Sequence, residues 1–77
     1  MNITIYTKDQ CPNCVTAKQL LKAKSLSFEE RNVANPEFMD QLTNAWPEAR
    51  QLPQIFIDGQ RVGGLAGLQA ALKQVGV

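Results

Sequence analysis

A pair of cysteines between a strand-like and a helix-like segment is the feature that most constrains this chain. Residues 3–6 alternate between apolar and polar side chains as a strand does, and residues 11–14, with the sequence CPNC, open a helical pattern. A helix start carries unpaired backbone N–H groups and a partial positive charge, which favour a thiolate there. The sequence therefore predicts thiol–disulfide chemistry at Cys11 and Cys14, the only two cysteines of the chain.

Two other interpretations of the cysteine pair stay open from the residues alone. A structural zinc ion needs four ligands, and the chain has no histidine and no third cysteine, so a zinc site would need carboxylates or a second copy of the chain. A structural disulfide at this spacing would close a short loop, which removes little entropy from the unfolded state. We therefore favour a redox role and predict no metal ligands.

Length and charge narrow the class of protein further. The 77 residues predict one domain, residues 1–77, with a single modest core. Eight basic and seven acidic residues give a net charge of +1, which offers no electrostatic reason to expect nucleic acid or a membrane as a partner. The N-terminus enters a strand pattern without an apolar signal region, and no apolar stretch is long enough to span a membrane. We expect a cytoplasmic protein.

The hydrophobic pattern predicts seven elements in the order βαβαββα. The strands are predicted at residues 2–6, 27–33, 54–57 and 60–62, and the helices at residues 12–24, 36–44 and from 65 onward. Pro12 and Pro36 each suit the first position of a helix, where the missing N–H has no intrahelical partner. Asp58 and Gly59 are typical of a tight hairpin turn. Trp46 is predicted to be a packing residue.

Three sequence blocks occur in an order that resembles the glutaredoxin family. They are YTK at residues 6–8 before CPNC, then LPQIFIDG at residues 52–59, and VGG at residues 62–64. The resemblance covers nearly the whole chain and implies an α/β thioredoxin fold in its small glutaredoxin form. This fold has a four-stranded mixed sheet flanked by three helices. Its first two strands are parallel across a helical crossover and its last two form an antiparallel hairpin.

The resemblance also implies roles for the cysteines and for a nearby lysine. Cys11 is implied as the nucleophile at the exposed end of the first helix, and Cys14 as the resolving thiol one turn inside it. Lys8 lies close in sequence and would add positive charge near the thiolate. A solvated surface lysine is the alternative interpretation of Lys8.

Two further segments are implied to bind glutathione or a substrate peptide. Leu52 and Pro53 resemble the family's cis-proline element, in which the backbone of the residue before proline pairs with an extended substrate. Gly63 and Gly64 resemble the family's glutathione-binding turn, although a turn that only needs positive φ would also use glycine. Two polar residues just before Leu52 could add contacts to the substrate, namely Arg50 and Gln51.

The chain departs from the family pattern at two places that bear on glutathione. Asn13 stands where an aromatic residue is usual between the cysteines, and Ala66 and Gly67 stand where an acidic residue is usual after the glycine pair. The acidic side chain would contact the amino group of the γ-glutamyl unit. Such a charge-assisted hydrogen bond contributes about 1.5–3 kcal/mol, so its loss would weaken glutathione binding by roughly one to two orders of magnitude.

The function implied is a dithiol glutaredoxin that reduces protein disulfides and glutathione mixed disulfides. Glutathione would be the reducing co-substrate, no cofactor would be bound permanently, and the protein would act as a monomer. One alternative takes electrons from thioredoxin reductase, as glutaredoxin-like hydrogen donors of ribonucleotide reductase do. Another is a non-catalytic iron–sulfur module, held by Cys11 from two chains and two external thiols, which Pro12 would disfavour.

Overall fold

The computed structural model describes residues 1–48 and 51–76, so Arg50 lies outside the described residues. Its elements follow the predicted order. They are β1 (Ile3–Thr7), α1 (Pro12–Ala23), β2 (Glu29–Asn32), α2 (Pro36–Ala45), β3 (Gln54–Ile57), β4 (Gln60–Gly63) and α3 (Leu65–Val75). The bounds differ from the prediction by one or two residues, and most at β2, which is shorter than residues 27–33.

The four strands form one mixed sheet in the order β2-β1-β3-β4. β1 runs parallel to β2 and antiparallel to β3, and β3 and β4 form an antiparallel hairpin. The hairpin turns at Asp58 and Gly59, whose φ angles are both positive, at 51° and 82°. Such angles match the right-handed twist of the flanking strands. The predicted thioredoxin fold and its hairpin are thus confirmed.

The main core lies between the sheet and the pair α1 and α3. It joins apolar residues from alternate positions of β1 and β3 to the inner faces of these two helices, namely Ile3, Ile5, Ile55, Ala17, Leu21, Leu68 and Leu72. The next residue along β1, Tyr6, points to the opposite face, where Arg31 donates hydrogen bonds to it and to Gln41 of α2. Helix α2 therefore covers the other face of the sheet.

Helix α3 approaches β4 closely at Gly67. A Cβ atom built on this glycine would lie 1.7 Å from the carbonyl oxygen of Val62. Only a residue without a side chain fits there, so the backbones of helix and strand come into direct contact. This contact sets where the N-terminus of α3 lies relative to the end of β4.

Within residues 1–48 and 51–76, no helix has the length and apolar character that crossing a membrane requires.

Candidate active site

Cys11 and Cys14 are joined by a disulfide bond at the N-terminus of α1. Cys11 is the N-cap residue and Pro12 is the first helical residue, as predicted. The backbone N–H of Cys14 donates a hydrogen bond to Cys11 Sγ at 3.1 Å. Because this N–H has no partner inside the helix, it is available to stabilise negative charge on the sulfur once the disulfide is reduced. Local geometry thus favours Cys11 as the thiolate.

Cys11 is less exposed than we expected for a residue at the exposed end of a helix. Its exposed fraction is 6%, against 2% for Cys14. Part of the cover comes from the segment before β3, because the carbonyl oxygen of Leu52 lies 3.6 Å from Cys11 Sγ. The sulfur of a disulfide carries no proton, so this approach is a contact between the two atoms. Cys11 remains the more exposed of the two cysteine residues.

A groove beside the disulfide collects most of the predicted substrate-binding residues, and we call it the Pro53 groove. The peptide bond between Leu52 and Pro53 is cis, as the resemblance implies. The groove is lined by Asn13, Gln51, Leu52, Pro53, Gln54, Arg61, Gly64, Leu65 and Ala66. Chain segments from α1, the loop before β3, the hairpin and α3 therefore meet at one place next to Cys11.

The glycine pair divides into two roles. Gly63 has a φ of 97°, so it is needed for the turn that leaves β4, and it does not line the Pro53 groove. Gly64 is the N-cap of α3, and no side chain caps the N–H groups at this helix end. A Cβ atom built on Gly64 would lie 3.5 Å from the carbonyl oxygen of Pro53, which is ordinary van der Waals contact. Gly67 also lies outside the groove lining, against Val62.

Lys8 lies in a second groove, which we call the Lys8 groove. It is open to solvent and reaches both cysteines, with a lining of Lys8, Asp9, Gln10, Cys11, Pro12, Cys14, Val15, Lys18, Glu30 and Asn32. Lys8 itself is exposed. The structure thus places Lys8 near the disulfide, but separate from Gln51 and the glycine pair.

Sequence reasoning missed several polar residues of these grooves. In the Pro53 groove they are Gln54 and Arg61, and in the Lys8 groove Glu30 accepts hydrogen bonds from two other elements. Gln54 could have been found because it directly follows Pro53. Arg61 could have been found from the hairpin register, which pairs it with Phe56. Nothing local marks Glu30, because its partners lie on other elements.

Glu30 forms a charged network at the edge of the Lys8 groove. Its Oε2 accepts hydrogen bonds from Thr7 Oγ1 at 2.8 Å and from Lys18 Nζ at 3.0 Å. Partial burial alone would raise the pKa of the Glu30 carboxyl, but the bonds from Lys18 and Thr7 outweigh it, and the pKa is lowered from 4.5. The Thr7 side chain is buried, so this network ties β1, α1 and β2 together beneath the disulfide.

The lowered pKa of Glu30 predicts a defined acid dependence of stability. Below pH 4.5 the unfolded chain binds a proton at this site more readily than the folded chain, so the stabilisation is lost as pH falls through the folded pKa. Thermal unfolding of Glu30→Gln should therefore depend less steeply on pH than that of the parent between about pH 5 and about pH 3. Exposed Glu48→Gln is the matched control. Parallel curves for Glu30→Gln and the parent would contradict the prediction.

The disulfide lies at a helix start and next to a cis-proline segment, and the sheet has the strand order β2-β1-β3-β4. Together these features define a thiol–disulfide oxidoreductase with the thioredoxin fold. The family model for glutaredoxin matches residues 3–62. The chain belongs to the glutaredoxin family.

Relatives agree with this assignment over most of the chain. Glutaredoxin 3 of Escherichia coli K12 is 42% identical over 73 residues, covering 90% of this chain and 83% of that protein. Glutaredoxin 1 from Francisella tularensis, solved with cacodylate, is 30% identical with a TM-score of 0.78, covering 96% of this chain and 94% of the other. The glutaredoxin-like NrdH-redoxin from Escherichia coli, described as having a thioredoxin-like activity profile, is 29% identical with a TM-score of 0.75 and coverages of 91% and 93%.

Proposed function

We propose that this oxidoreductase is reduced by glutathione and acts on protein disulfides and on glutathione mixed disulfides. The observation that carries the proposal is the Pro53 groove, which brings the backbone of Leu52 to 3.6 Å from Cys11 Sγ and the N-terminus of α3 to the same place. Main-chain groups of Leu52 can pair with a peptide of any sequence, and helix N–H groups favour a carboxylate. A small peptide thiol with free carboxylates suits both features.

The reaction follows from the order of the two sulfurs. The Cys11 thiolate attacks one sulfur of the substrate disulfide, forms a mixed disulfide and releases the other substrate sulfur as a thiolate. With a protein disulfide, Cys14 loses its proton and attacks Cys11 Sγ, which releases the second substrate thiol and leaves the Cys11–Cys14 disulfide. Two glutathione thiols then restore the dithiol and leave as oxidised glutathione. Each cycle moves two electrons from glutathione to the substrate.

A second candidate takes its electrons from thioredoxin reductase and serves ribonucleotide reductase. One observation favours it: the first turn of α3 contains no acidic residue, and Gly67 leaves no room for one. The amino group of glutathione would then lack a charged partner at this helix, and affinity for glutathione would fall. Backbone N–H groups of α3 would still be free to hold the carboxylate.

The two candidates separate in one turnover experiment with two electron sources. The protein is assayed on a glutathionylated peptide and on a protein disulfide, once with NADPH, glutathione reductase and glutathione, and once with NADPH and thioredoxin reductase. We expect turnover of both substrates with glutathione. If only thioredoxin reductase supports turnover, glutathione is not the reductant and the second candidate is supported.

Lys8 offers a prediction on reactivity at the edge of the site. Lys8→Glu should raise the pKa of the reduced Cys11 thiol and lower glutathione-dependent kcat/KM by about fivefold at low salt, because it reverses a charge in the groove that reaches Cys11. The difference should shrink as salt screens this exposed charge. Lys73→Glu, at an exposed position of α3, controls for the change in net charge. If thiolate absorbance and turnover of Lys8→Glu match the parent at low salt, Lys8 is a solvated surface residue.

We further propose that the protein acts as a monomer in the cytoplasm. Its two cysteines both belong to the active site, which is the usual use of cysteine where thiol pools keep other cysteines reduced. Sedimentation of the reduced protein at assay concentration tests the oligomeric state.

A further inference from the structure

Gln54 holds the loop before β3 through both ends of its side-chain amide. It is the first residue of β3, directly after Pro53, and only 5% of it is exposed. Its Nε2 donates a hydrogen bond to the carbonyl oxygen of Gln51 at 2.8 Å, and its Oε1 accepts one from Arg61 Nε at 2.9 Å. A guanidinium can only donate, so Arg61 requires the oxygen of the amide on its side. The amide nitrogen must then face Gln51.

Arg61 is itself held in place from a second side. It lies on the edge strand β4, and its guanidinium carbon is 5.1 Å from the centre of the Trp46 ring. Trp46, which we predicted to be a packing residue, is 37% exposed and provides a flat surface against which this cation packs. The chain of contacts thus runs from Trp46 through Arg61 and Gln54 to the Gln51 carbonyl.

The Gln51 carbonyl matters because it shares a planar peptide unit with the N–H of Leu52. Fixing the direction of the carbonyl toward Gln54 fixes the direction of the N–H, which points the opposite way. Among residues 1–48 and 51–76, no backbone carbonyl accepts a hydrogen bond from that N–H. Within this part of the chain it is therefore available to a ligand in the Pro53 groove.

We propose that Gln54 is a positioning residue for substrate: it orients the Gln51–Leu52 peptide so that the Leu52 N–H can pair with the backbone of a bound disulfide peptide. Arg61 and Trp46 set the orientation of Gln54. This inference rests on the proposed function, since it assigns the Leu52 backbone to a peptide substrate. These three residues act on the docking of the substrate. They do not act on the reactivity of Cys11, which depends on the start of α1.

The sharpest variant is Gln54→Glu, which keeps the size of the side chain and the contact with Arg61. It replaces the donor to the Gln51 carbonyl with a carboxylate oxygen, which repels that carbonyl. For a glutathionylated peptide we expect KM to rise about tenfold, the loss typical of one buried hydrogen bond. The kcat value and the rate of Cys11 alkylation by iodoacetamide should change far less than KM, since the Cys14 N–H at the start of α1 stabilises the Cys11 thiolate. Gln69→Glu, at an exposed position of α3, is the matched control.

A second variant protects the test against a folding defect in the first. Arg61 is exposed, so Arg61→Ala should fold normally and should raise KM by a smaller factor, because the Gln54 amide loses its fixed orientation but keeps its donor. Arg61→Lys, which still donates to the amide oxygen, should restore most of the parental KM. A KM that stays parental in both Gln54→Glu and Arg61→Ala would overturn the proposal. A parallel loss of alkylation rate would also overturn it, because the network would then act on Cys11 itself.

Failure of the proposed function is visible separately, in the parent protein. If the parent does not turn over with glutathione, the proposed reductant is wrong, and the variants are compared on a protein disulfide with thioredoxin reductase. Backbone amide resonances of the reduced protein give a readout that needs no substrate. Gln54→Glu should shift the Leu52 amide resonance far more than Gln69→Glu does, and an unmoved Leu52 resonance would overturn the inference whatever the reductant.

Discussion

Cys14→Ser should keep the reduction of a glutathione mixed disulfide and lose most of the reduction of a protein disulfide, whereas Cys11→Ser should lose both. Reduction of a mixed disulfide needs only the attacking thiolate, which is then released by a second glutathione. Cys11 Sγ accepts a hydrogen bond from the Cys14 N–H, and Cys11 is the more exposed of the two residues, so its sulfur is placed to attack. We expect Cys11→Ser to lower both activities by about three orders of magnitude, as loss of a nucleophile commonly does.

The two assays use the same glutathione system and differ only in the substrate. Circular dichroism of the reduced proteins shows whether each serine variant keeps the fold, which small isosteric changes at these sites should not disturb. Mass spectrometry of Cys14→Ser should also show a persistent mixed disulfide on Cys11. Equal losses in both assays for Cys14→Ser would contradict the division of roles between the two cysteines.

Gly67→Asp should destabilise the protein strongly, whereas Ala66→Asp, one residue earlier, should leave it folded and strengthen glutathione binding. Any Cβ at residue 67 would lie 1.7 Å from the Val62 carbonyl oxygen, so α3 must move away from β4. Overpacking against backbone costs about 3 kcal/mol, which outweighs the gain of about 1 kcal/mol from removing a helical glycine. The corresponding fall in Tm is roughly 10–20 °C for a domain of this size.

Ala66 is exposed and lines the Pro53 groove, so an acidic side chain there has room and would face a peptide bound in that groove. It would also complement the positive end of the α3 dipole. We expect Ala66→Asp to lower the KM for glutathione by about tenfold, the value of one charge-assisted hydrogen bond to an amino group. Thermal unfolding and a glutathione titration of both variants check the pair. Equal Tm values for Gly67→Asp and Ala66→Asp would contradict the close contact.

Departure from the family pattern at Gly67 therefore has a structural cause. The sequence alone presents Ala66 and Gly67 as one missing acidic site. In the structure the two positions differ, because one faces the Pro53 groove and the other touches β4. We therefore expect a restored acidic residue to be tolerated at only one of them.

Features set by neighbours in sequence were predictable without the structure. Proline at the first position of α1 and of α2, the Asn35 cap on the Glu37 N–H, and the Asp58 turn each depend on a few consecutive residues. The alternation of apolar side chains gave the order of elements for the same reason. These short-range rules also placed the cysteines at a helix start, which is the central chemical feature of the site.

Features set by residues far apart in the chain needed the tertiary structure. The low exposure of Cys11 depends on Leu52, the lowered pKa of Glu30 depends on Lys18 and Thr7, and the orientation of Gln54 depends on Arg61. No local pattern reports such contacts, since they follow from the register of the strands and from how closely α3 packs on β4. The sequence by itself determined which elements form and where the thiols lie, whereas the packing of those elements decided which polar groups line the two grooves beside the disulfide.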